Sequence, residues 1–239
     1  MRNRHGMLRC GRLLSPGRVE RPLKMSPVVE TNVRAIVTPV RRGQATRSAI
    51  LDHGIELATQ VGLEGLTIGR LASDLGLSKS GLFAHFRSKE ALQIQVLDAA
   101  AERFVEEVIR PAVRHPRGEP RLVALFDSWL AWTRTTGPGG CLFVAAAAEL
   151  DDRPGAVRDR LVELQKGWLE TVAIIFRTGV AERHFGDDVD PSQFAHDLYS
   201  VMLGFHHASR LLRDPRAEKL AHAAFERLLS SARRRRATA

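Results

Sequence analysis

The chain has 239 residues, of which 44% are apolar, a proportion that is ordinary for a folded protein with a sizeable core. No apolar run approaches the roughly 18–20 residues that cross a bilayer, and no apolar stretch follows the basic N-terminus as it would in a signal peptide. Cys10 and Cys141 are too few for a disulfide framework. These features exclude a membrane protein and a disulfide-stapled secreted protein, and we expect a cytoplasmic one.

The net charge of +9 is concentrated at the two ends of the chain. Residues 1–43 hold ten Lys and Arg against two acidic residues, and Arg233–Arg236 adds four positive charges. By contrast, residues 44–232 hold 22 basic and 25 acidic residues. Because the central part is slightly acidic, the charge alone does not indicate DNA binding.

The spacing of apolar residues divides the chain into two tails and a helical middle. Residues 1–43 mix Arg, Pro and Gly without an apolar period, which predicts a disordered basic tail. Met1, Met7 and Met25 are alternative translation starts within it. A DNA-binding unit is predicted at 44–92, a larger helical unit at 93–232 and a second basic tail at 233–239.

From about Thr46 to Ala232 the apolar residues recur with helical spacing, and no alternating strand pattern of any length occurs. Ile50, Leu57 and Val61 lie on one stripe of a first helix. Pro and Gly interrupt the later pattern, so that further helices are predicted at about 89–110, 120–136, 141–150, 155–181, 191–212 and 216–232. We therefore predict an all-α fold.

Residues 66–86 show the pattern of a helix-turn-helix. Thr67 is placed to cap a short helix, with Leu66 and Leu71 at the spacing of a hydrophobic staple. Gly76 supplies a left-handed residue that ends this helix, and Ser78 is placed to cap the next one. Two short helices joined by a tight glycine turn form the unit whose second helix presents its N-terminal residues to base edges.

The second helix of this unit has a small and polar exposed face at Ser78, Lys79 and Ser80. Leu77 is predicted to turn inward. The glycine at 81 permits either close approach to DNA or tight packing against the first helix, and the sequence favours neither. Lys89 follows a capping serine, where it either meets a phosphate at the helix N-terminus or is solvated.

Residues 47–93 resemble the DNA-binding domain of the TetR family of bacterial regulators. The resemblance is carried by Thr67-Ile68 with Leu71-Ala72, by the run Gly76-Leu77-Ser78-Lys79-Ser80-Gly81-Leu82-Phe83-Ala84-His85-Phe86, and by Ser88-Lys89-Glu90-Ala91-Leu92. It implies DNA contacts by Thr67, Ser78, Lys79, Ser80, His85 and Lys89, although His85 is interpreted either as a donor to a phosphate or as the end of its helix. Arg70, on the outward face of the first motif helix, reaches either a phosphate or solvent. Phe83 stands where the family commonly has a Tyr whose hydroxyl contacts a phosphate, so we expect only packing or apolar contact from it.

Residues 93–232 resemble the family only in general plan, which implies helices that bind a small molecule and pair two subunits. An apolar pocket with a few polar groups is the expected form of such a site. The candidates for its lining, each of which is alternatively ordinary core, are Trp129, Trp132, Phe143, Trp168, Phe176, Tyr199, His206 and His207.

The last two helices are predicted to form the dimer surface. Phe194, Leu198, Met202 and Phe205 make one stripe, with Gly204 beside it, and Leu220, Ala224 and Leu228 make a second. The alternative is that both stripes cover the core of their own subunit.

The function predicted by the resemblance is that of a homodimeric regulator, a repressor that a small-molecule effector releases from a palindromic double-stranded DNA operator. An activator or a ligand-independent DNA-binding protein of the same architecture is the alternative, and a protein-interaction helix bundle is a third. No nucleophile–base pair, phosphate loop or metal-ligand spacing indicates an enzyme or a cofactor.

Two further features contain residue types that occur in redox or metal sites. Cys141 stands at a helix start, where the dipole stabilises a thiolate, and is interpreted either as a redox sensor or as an inert buried thiol. His184, Asp187, Asp188 and Asp190 match no metal-site spacing and are interpreted as a solvated loop.

Overall fold

A computed structural model describes residues 43–137 and 139–233, so the two predicted basic tails lie outside the described residues except at 43 and 233. In this part of the chain the helices are α1 Gly43–Val61, α2 Ile68–Leu75, α3 Lys79–Phe86, α4 Lys89–Phe104, α5 Arg110–Val113, α6 Glu119–Thr135, α7 Leu142–Leu150, α8 Ala156–Ala181, α9 Pro191–Arg210 and α10 Ala217–Ala232. The predicted all-α class is confirmed for these residues. None of these helices is both long and apolar enough to cross a membrane.

Four of these helices, α2, α3, α4 and α9, begin after a residue whose side chain caps them. Asp190 accepts a hydrogen bond from the Ser192 backbone N–H at 3.0 Å, and Pro191 occupies the first position of α9. The predicted helix at 155–181 is also found, as the 26-residue α8.

A π-helical turn, Val105–Ile109, continues α4 and leads into α5. Its side chains Val105, Val108 and Ile109 are buried, and Glu106 and Glu107 face solvent. The predicted helix at 89–110 is therefore continuous in its path but contains one wider turn. Turns of this kind are rare and often occur at functional sites.

Two apolar clusters fill the interior. The first lies under the helix-turn-helix and combines residues of α1 to α4 with Leu142, Ala146 and Leu150 of α7 and the first turns of α8. The predicted boundary between 92 and 93 falls inside α4, whose Leu92, Val96, Leu97 and Ala100 belong to this cluster. The second cluster joins the π turn, α6, α9, α10 and the second half of α8, and it is rich in aromatic rings.

Candidate DNA-binding and effector sites

The α2–α3 unit owes its geometry to three local features. The Thr67 hydroxyl accepts a hydrogen bond from the Arg70 backbone N–H at 3.1 Å, which caps α2. Gly76 has φ +63°, and the N–H groups of Gly76 and Leu77 donate to the carbonyls of Ser73 and Ala72 at 3.2 and 2.9 Å. This is the Schellman pattern that ends a helix at a left-handed glycine.

The Ser78 hydroxyl accepts from the Gly81 backbone N–H at 3.1 Å and so caps α3. A Cβ added to Gly81 would lie 2.9 Å from Ser78 Oγ, and the position itself is exposed. No atom of α2 lies within 4 Å of that Cβ position, so tight packing against the first helix does not account for the glycine.

One face of the unit is buried and the other is open. Leu66, Leu71, Leu82 and Phe86 are buried in the first cluster, so the predicted staple partners Leu66 and Leu71 both lie in the core. The expectation that Leu77 turns inward is wrong, because its side chain is 45% exposed. The turn residue therefore points outward, while Leu71 of α2 and Leu82 and Phe86 of α3 lie in the core.

The predicted DNA-binding residues fall on the open face. Arg70, Ser78, Lys79, Ser80, Phe83, His85 and Lys89 are exposed, and Thr67 is half-buried. Phe83 is 54% exposed, whereas Phe86, three residues later, is 1% exposed. An aromatic ring held in solvent on this face is available for apolar contact and contributes no core packing, so of the two roles predicted for Phe83 only apolar contact remains.

Basic side chains border the open face at both ends of α3. A Cβ built on Gly69 of α2 lies 3.8 Å from Lys79 Cε, so the lysine stem runs beside a residue without a side chain. Lys89 Nζ donates to Glu64 Oε2 at 3.1 Å, and Arg153 Nη1 reaches the same oxygen at 3.3 Å. A phosphate that binds Lys89 therefore competes with a carboxylate.

Arg87 is a basic residue on this face that sequence reasoning missed. It is exposed, it ends α3 with φ +61°, and its N–H donates to the Phe83 carbonyl at 2.8 Å. Its position directly before the capping Ser88 was the available signal, since a basic residue there stands next to a helix N-terminus that binds anions.

A cavity of about 260 Å³ lies beside the π turn, between α4, α6, α7, α8 and α9. Four predicted pocket residues line it, namely Trp129, Phe143, Trp168 and Tyr199. Sequence reasoning missed the other lining residues, which are Ala101, Phe104, Val105, Ile109, Val144, Arg160, Glu163, Leu164, Gln165, Gly167 and Thr171, and it had named Cys141 only as a thiol.

The other four predicted pocket residues do not line this cavity. Trp132 is buried behind Phe104, with the two ring centroids 5.5 Å apart. Phe176 is stacked at 4.3 Å on Phe194, inside the second cluster. His207 is exposed, and burial together with the charges of Arg210 and His207 lowers the pKa of the half-buried His206.

Cys141 lines the cavity at the start of α7 but is almost fully buried. Burial raises the pKa of its thiol and outweighs the opposing hydrogen bonds from neighbouring groups. A thiol with a raised pKa holds little thiolate, the reactive form, so the structure favours the inert interpretation.

The first predicted dimer stripe is corrected by the structure. Phe194, Leu198, Met202 and Phe205 are buried in the second cluster of their own subunit and offer no surface to another chain. On α10, Leu220 is 50% exposed, whereas Ala224 and Leu228 are half-buried. The second stripe therefore remains a candidate interface.

The residues around 184–190 have structural roles. His184 Nδ1 accepts from the Glu119 backbone N–H at 3.2 Å, and Asp190 caps α9. Among the described residues no cluster of three His, Cys, Asp or Glu side chains has the geometry to hold a metal ion.

Comparison with known proteins agrees with this geometry along most of the described chain. Residues 50–96 match the family described as bacterial regulatory proteins, tetR family, and residues 118–225 match the tetracyclin repressor-like C-terminal domain. The chain is similar to the HTH-type transcriptional repressor NemR of Escherichia coli K12, with 26% identity over 183 residues, which cover 74% of this chain and 91% of NemR.

Two further proteins are similar to this chain, one over its N-terminal part and one over most of its length. The tetracycline repressor protein class C of Escherichia coli is 39% identical over 75 residues, which cover 31% of this chain and only 30% of that repressor. The crystal structure of a TetR transcriptional regulator from Chloroflexus aurantiacus superposes with a TM-score of 0.70 and 27% identity, covering 80% of this chain and 96% of the other. The chain belongs to the TetR family of bacterial transcriptional regulators.

Proposed function

We propose that this chain is a homodimeric repressor that places α3 in the major groove of a palindromic operator and leaves it when a small molecule occupies the cavity. The observation that carries the DNA-binding part is the division of the α2–α3 unit into a buried face and an open face. The open face carries Ser78, Lys79 and Ser80 at the N-terminus of α3, the end that approaches base edges in this motif.

Contact with the DNA backbone is supported by the exposed basic side chains around α3. Arg70, Lys79, Arg87 and Lys89 are all exposed, and they stand on α2, at the two ends of α3 and at the start of α4. No acidic residue lies in the first turn of α3, so its positive dipole end is not neutralised. Phosphate contacts of this kind position a protein on DNA, and base contacts then select the sequence.

Release by a ligand is supported by where the cavity lies. Ala101 and Phe104 of α4 line it, and α4 begins at Lys89, beside the proposed phosphate contact. A ligand therefore touches the same helix that carries Lys89, about 15 residues along it, or roughly 22 Å at 1.5 Å per residue. The distance between the two α3 helices of the dimer must match the spacing of the operator half-sites. A ligand that favours an arrangement with a different distance therefore releases the DNA.

The paired subunits are proposed to meet through the outer faces of α9 and α10. Leu203 is 39% exposed on α9 and Leu220 is 50% exposed on α10, and the two helices pack side by side. A Cβ on Gly204 would meet no atom within 4 Å, so a partner helix can approach closely there. This face lies on the opposite side of α9 from the buried Phe194 stripe.

The test is selection of operator fragments from genomic DNA at about 150 mM salt, with the parent and Lys79→Ala. We expect the parent to enrich a palindromic site and Lys79→Ala to lose it, because phosphate and base contacts near α3 supply affinity and register. The matched control is Lys166→Ala, an exposed lysine on α8. Equal enrichment by all three proteins would contradict the proposed role of α3.

A further inference from the structure

The chemistry of the cavity lining identifies a class of effector. Phe104, Trp129, Phe143 and Trp168 supply aromatic walls, and Phe104 meets Trp168 and Phe143 edge-on with centroids 5.0 and 5.8 Å apart. Flat rings pack favourably against such walls in offset or edge-to-face arrangements. The volume of about 260 Å³ lies just below the roughly 300–1,000 Å³ of sites for drug-sized ligands, so it suits one or two rings.

Space is kept open in the middle of α8. Gly167 lines the cavity, and a Cβ built on it meets no atom within 4 Å. A glycine inside a helix costs about 1 kcal/mol relative to alanine, and packing does not require it here. Its effect is to leave room beside Trp168.

The charged groups of the lining are already paired. Arg160 Nε donates to Asp98 Oδ1 at 2.7 Å, and Arg160 Nη1 donates to Glu163 Oε2 at 2.9 Å. Burial would lower the pKa of Arg160, but these two hydrogen bonds and the two carboxylates raise it, so the guanidinium stays charged. An anionic ligand would have to displace a carboxylate from Arg160, and a cationic ligand would find both carboxylates already hydrogen-bonded to Arg160.

The remaining polar groups form one oriented pair. The Phe143 carbonyl can only accept, and Gln165 Nε2 donates to it at 3.1 Å, which turns Gln165 Oε1 towards Tyr199. The Tyr199 hydroxyl then donates to that oxygen at 2.5 Å. One hydrogen-bond acceptor and one donor of this pair remain unused. The acceptor is the lone pairs of Tyr199 Oη, and the donor is the second hydrogen of Gln165 Nε2.

We propose that the cavity binds an uncharged molecule of one or two rings whose hydroxyl group donates to Tyr199 Oη and accepts from Gln165 Nε2. A ligand hydroxyl can donate to Tyr199 Oη and accept from Gln165 Nε2 at once, whereas a ketone or ether oxygen can only accept from Gln165 Nε2. This inference rests on the proposed function, because it names the chemistry of the effector that the cavity takes.

The experiment is equilibrium dialysis of the full chain against four probes on one scaffold: 2-naphthol, naphthalene, 2-naphthoate and 2-naphthyltrimethylammonium. We expect one 2-naphthol per chain, bound about five- to tenfold more tightly than naphthalene, the factor that a net hydrogen bond supplies. Both charged probes should bind more weakly than naphthalene. Tightest binding of either charged probe, or no binding of any probe, would overturn the proposal.

Three variants locate the binding. Tyr199→Phe should reduce the preference for 2-naphthol over naphthalene severalfold while leaving naphthalene unchanged, because it removes one of the two proposed hydrogen bonds to the ligand hydroxyl. Gly167→Leu should weaken all uncharged probes by blocking the space, without risk to the helix, because leucine is a better helix former than glycine. Ser200→Ala, an exposed neighbour of Tyr199 on α9, is the matched control and should change nothing. A preference for 2-naphthol that is undiminished in Tyr199→Phe would overturn the assignment.

Operator binding is measured in parallel with the same protein. If the operator binds but 2-naphthol does not, only the inference about the effector fails. If 2-naphthol binds but no operator is found, the cavity assignment stands and the proposed function fails.

Discussion

The two apolar clusters of this protein are built for different tasks. The cluster under the helix-turn-helix is mostly aliphatic, with Phe86 as its fully buried aromatic residue, and it leaves the α2–α3 unit fixed on its surface. The second cluster is rich in Phe and Trp and borders a cavity of about 260 Å³. A closely filled core holds a recognition surface at constant geometry, whereas a core with retained space can change its packing when a ligand enters.

The largest effect should come from the core of the DNA-binding unit. Phe86→Ala removes a ring that is 1% exposed, and we expect it to lower the free energy of unfolding by about 3–5 kcal/mol. Phe83→Ala, on the same helix but largely exposed, should change it by less than about 0.5 kcal/mol. Urea denaturation followed by circular dichroism measures both, and equal losses would show that α3 is packed differently.

The next largest effect compares the cost of adding a larger side chain inside the second cluster with the cost of adding it beside the cavity. Ala173→Leu on α8 adds volume where the second cluster is closed, and we expect a loss of about 1–3 kcal/mol in the free energy of unfolding. Ala101→Leu adds the same atoms beside the cavity and should cost less than half as much. The same denaturation experiment compares the two, and an equal cost would mean that the space beside Ala101 is not available to a side chain.

A smaller effect concerns the ionisation of Tyr199, which is the only tyrosine of the chain. Burial raises its pKa to about 12, with a smaller contribution from the Cys141 thiol and an opposing one from Gln165. The folded state thus favours the neutral phenol. The stability it contributes is fully present below the unfolded pKa of about 10 and is lost as the pH rises through about 12.

Tyrosinate absorbance measures this directly. Near pH 10 an ordinary tyrosine is about half ionised, but the folded protein should show little tyrosinate. In urea the same residue should titrate near its ordinary value. Half ionisation of the folded protein near pH 10 would mean that the hydroxyl is exposed to water and not buried.

The smallest effect links the DNA-binding face to the rest of the molecule. Glu64→Gln removes the carboxylate that pairs with both Lys89 and Arg153, and we expect operator affinity to increase by about 0.2–1 kcal/mol. The gain is small because both ion pairs are solvent-exposed. Glu90→Gln, an exposed neighbour of Lys89, is the control for the loss of one negative charge. An equal gain in both variants would show that only net charge matters.

Sequence signals that act over a few residues predicted much of the fold. Most of what they missed depends on contacts between residues far apart in the chain. Capping residues and glycines act within four positions of themselves, so Thr67, Gly76 and Ser78 mark helix ends that the structure reproduces. The cavity depends instead on residues far apart in the chain, such as Gln165 and Tyr199, whose pairing no periodicity encodes. Phe104 and Gly167 likewise have no local pattern that sets them apart from ordinary helix residues.

The Phe194 stripe shows a second limit of sequence reasoning. Apolar residues at helical spacing establish that one face of α9 is covered, but the spacing is identical whether the cover is the same subunit or another. The structure supplies the distinction, because Phe176 and Phe185 lie against Phe194 within the chain. The exposed Leu203 lies on the other face of α9, where Ser200, His206 and His207 are its neighbours at helical spacing, so no apolar stripe marks that face.

The wider turn at Val105–Ile109 has a consequence for how this protein can vary. A π turn is an α-helix with one inserted residue, and its extra width keeps the faces before Phe104 and after Arg110 in register despite the insertion. Deleting a solvent-facing member such as Glu106 would yield an unbroken α-helix that keeps both buried faces in register. Deletion of a single codon would therefore convert the wide turn beside the cavity into regular α-helix.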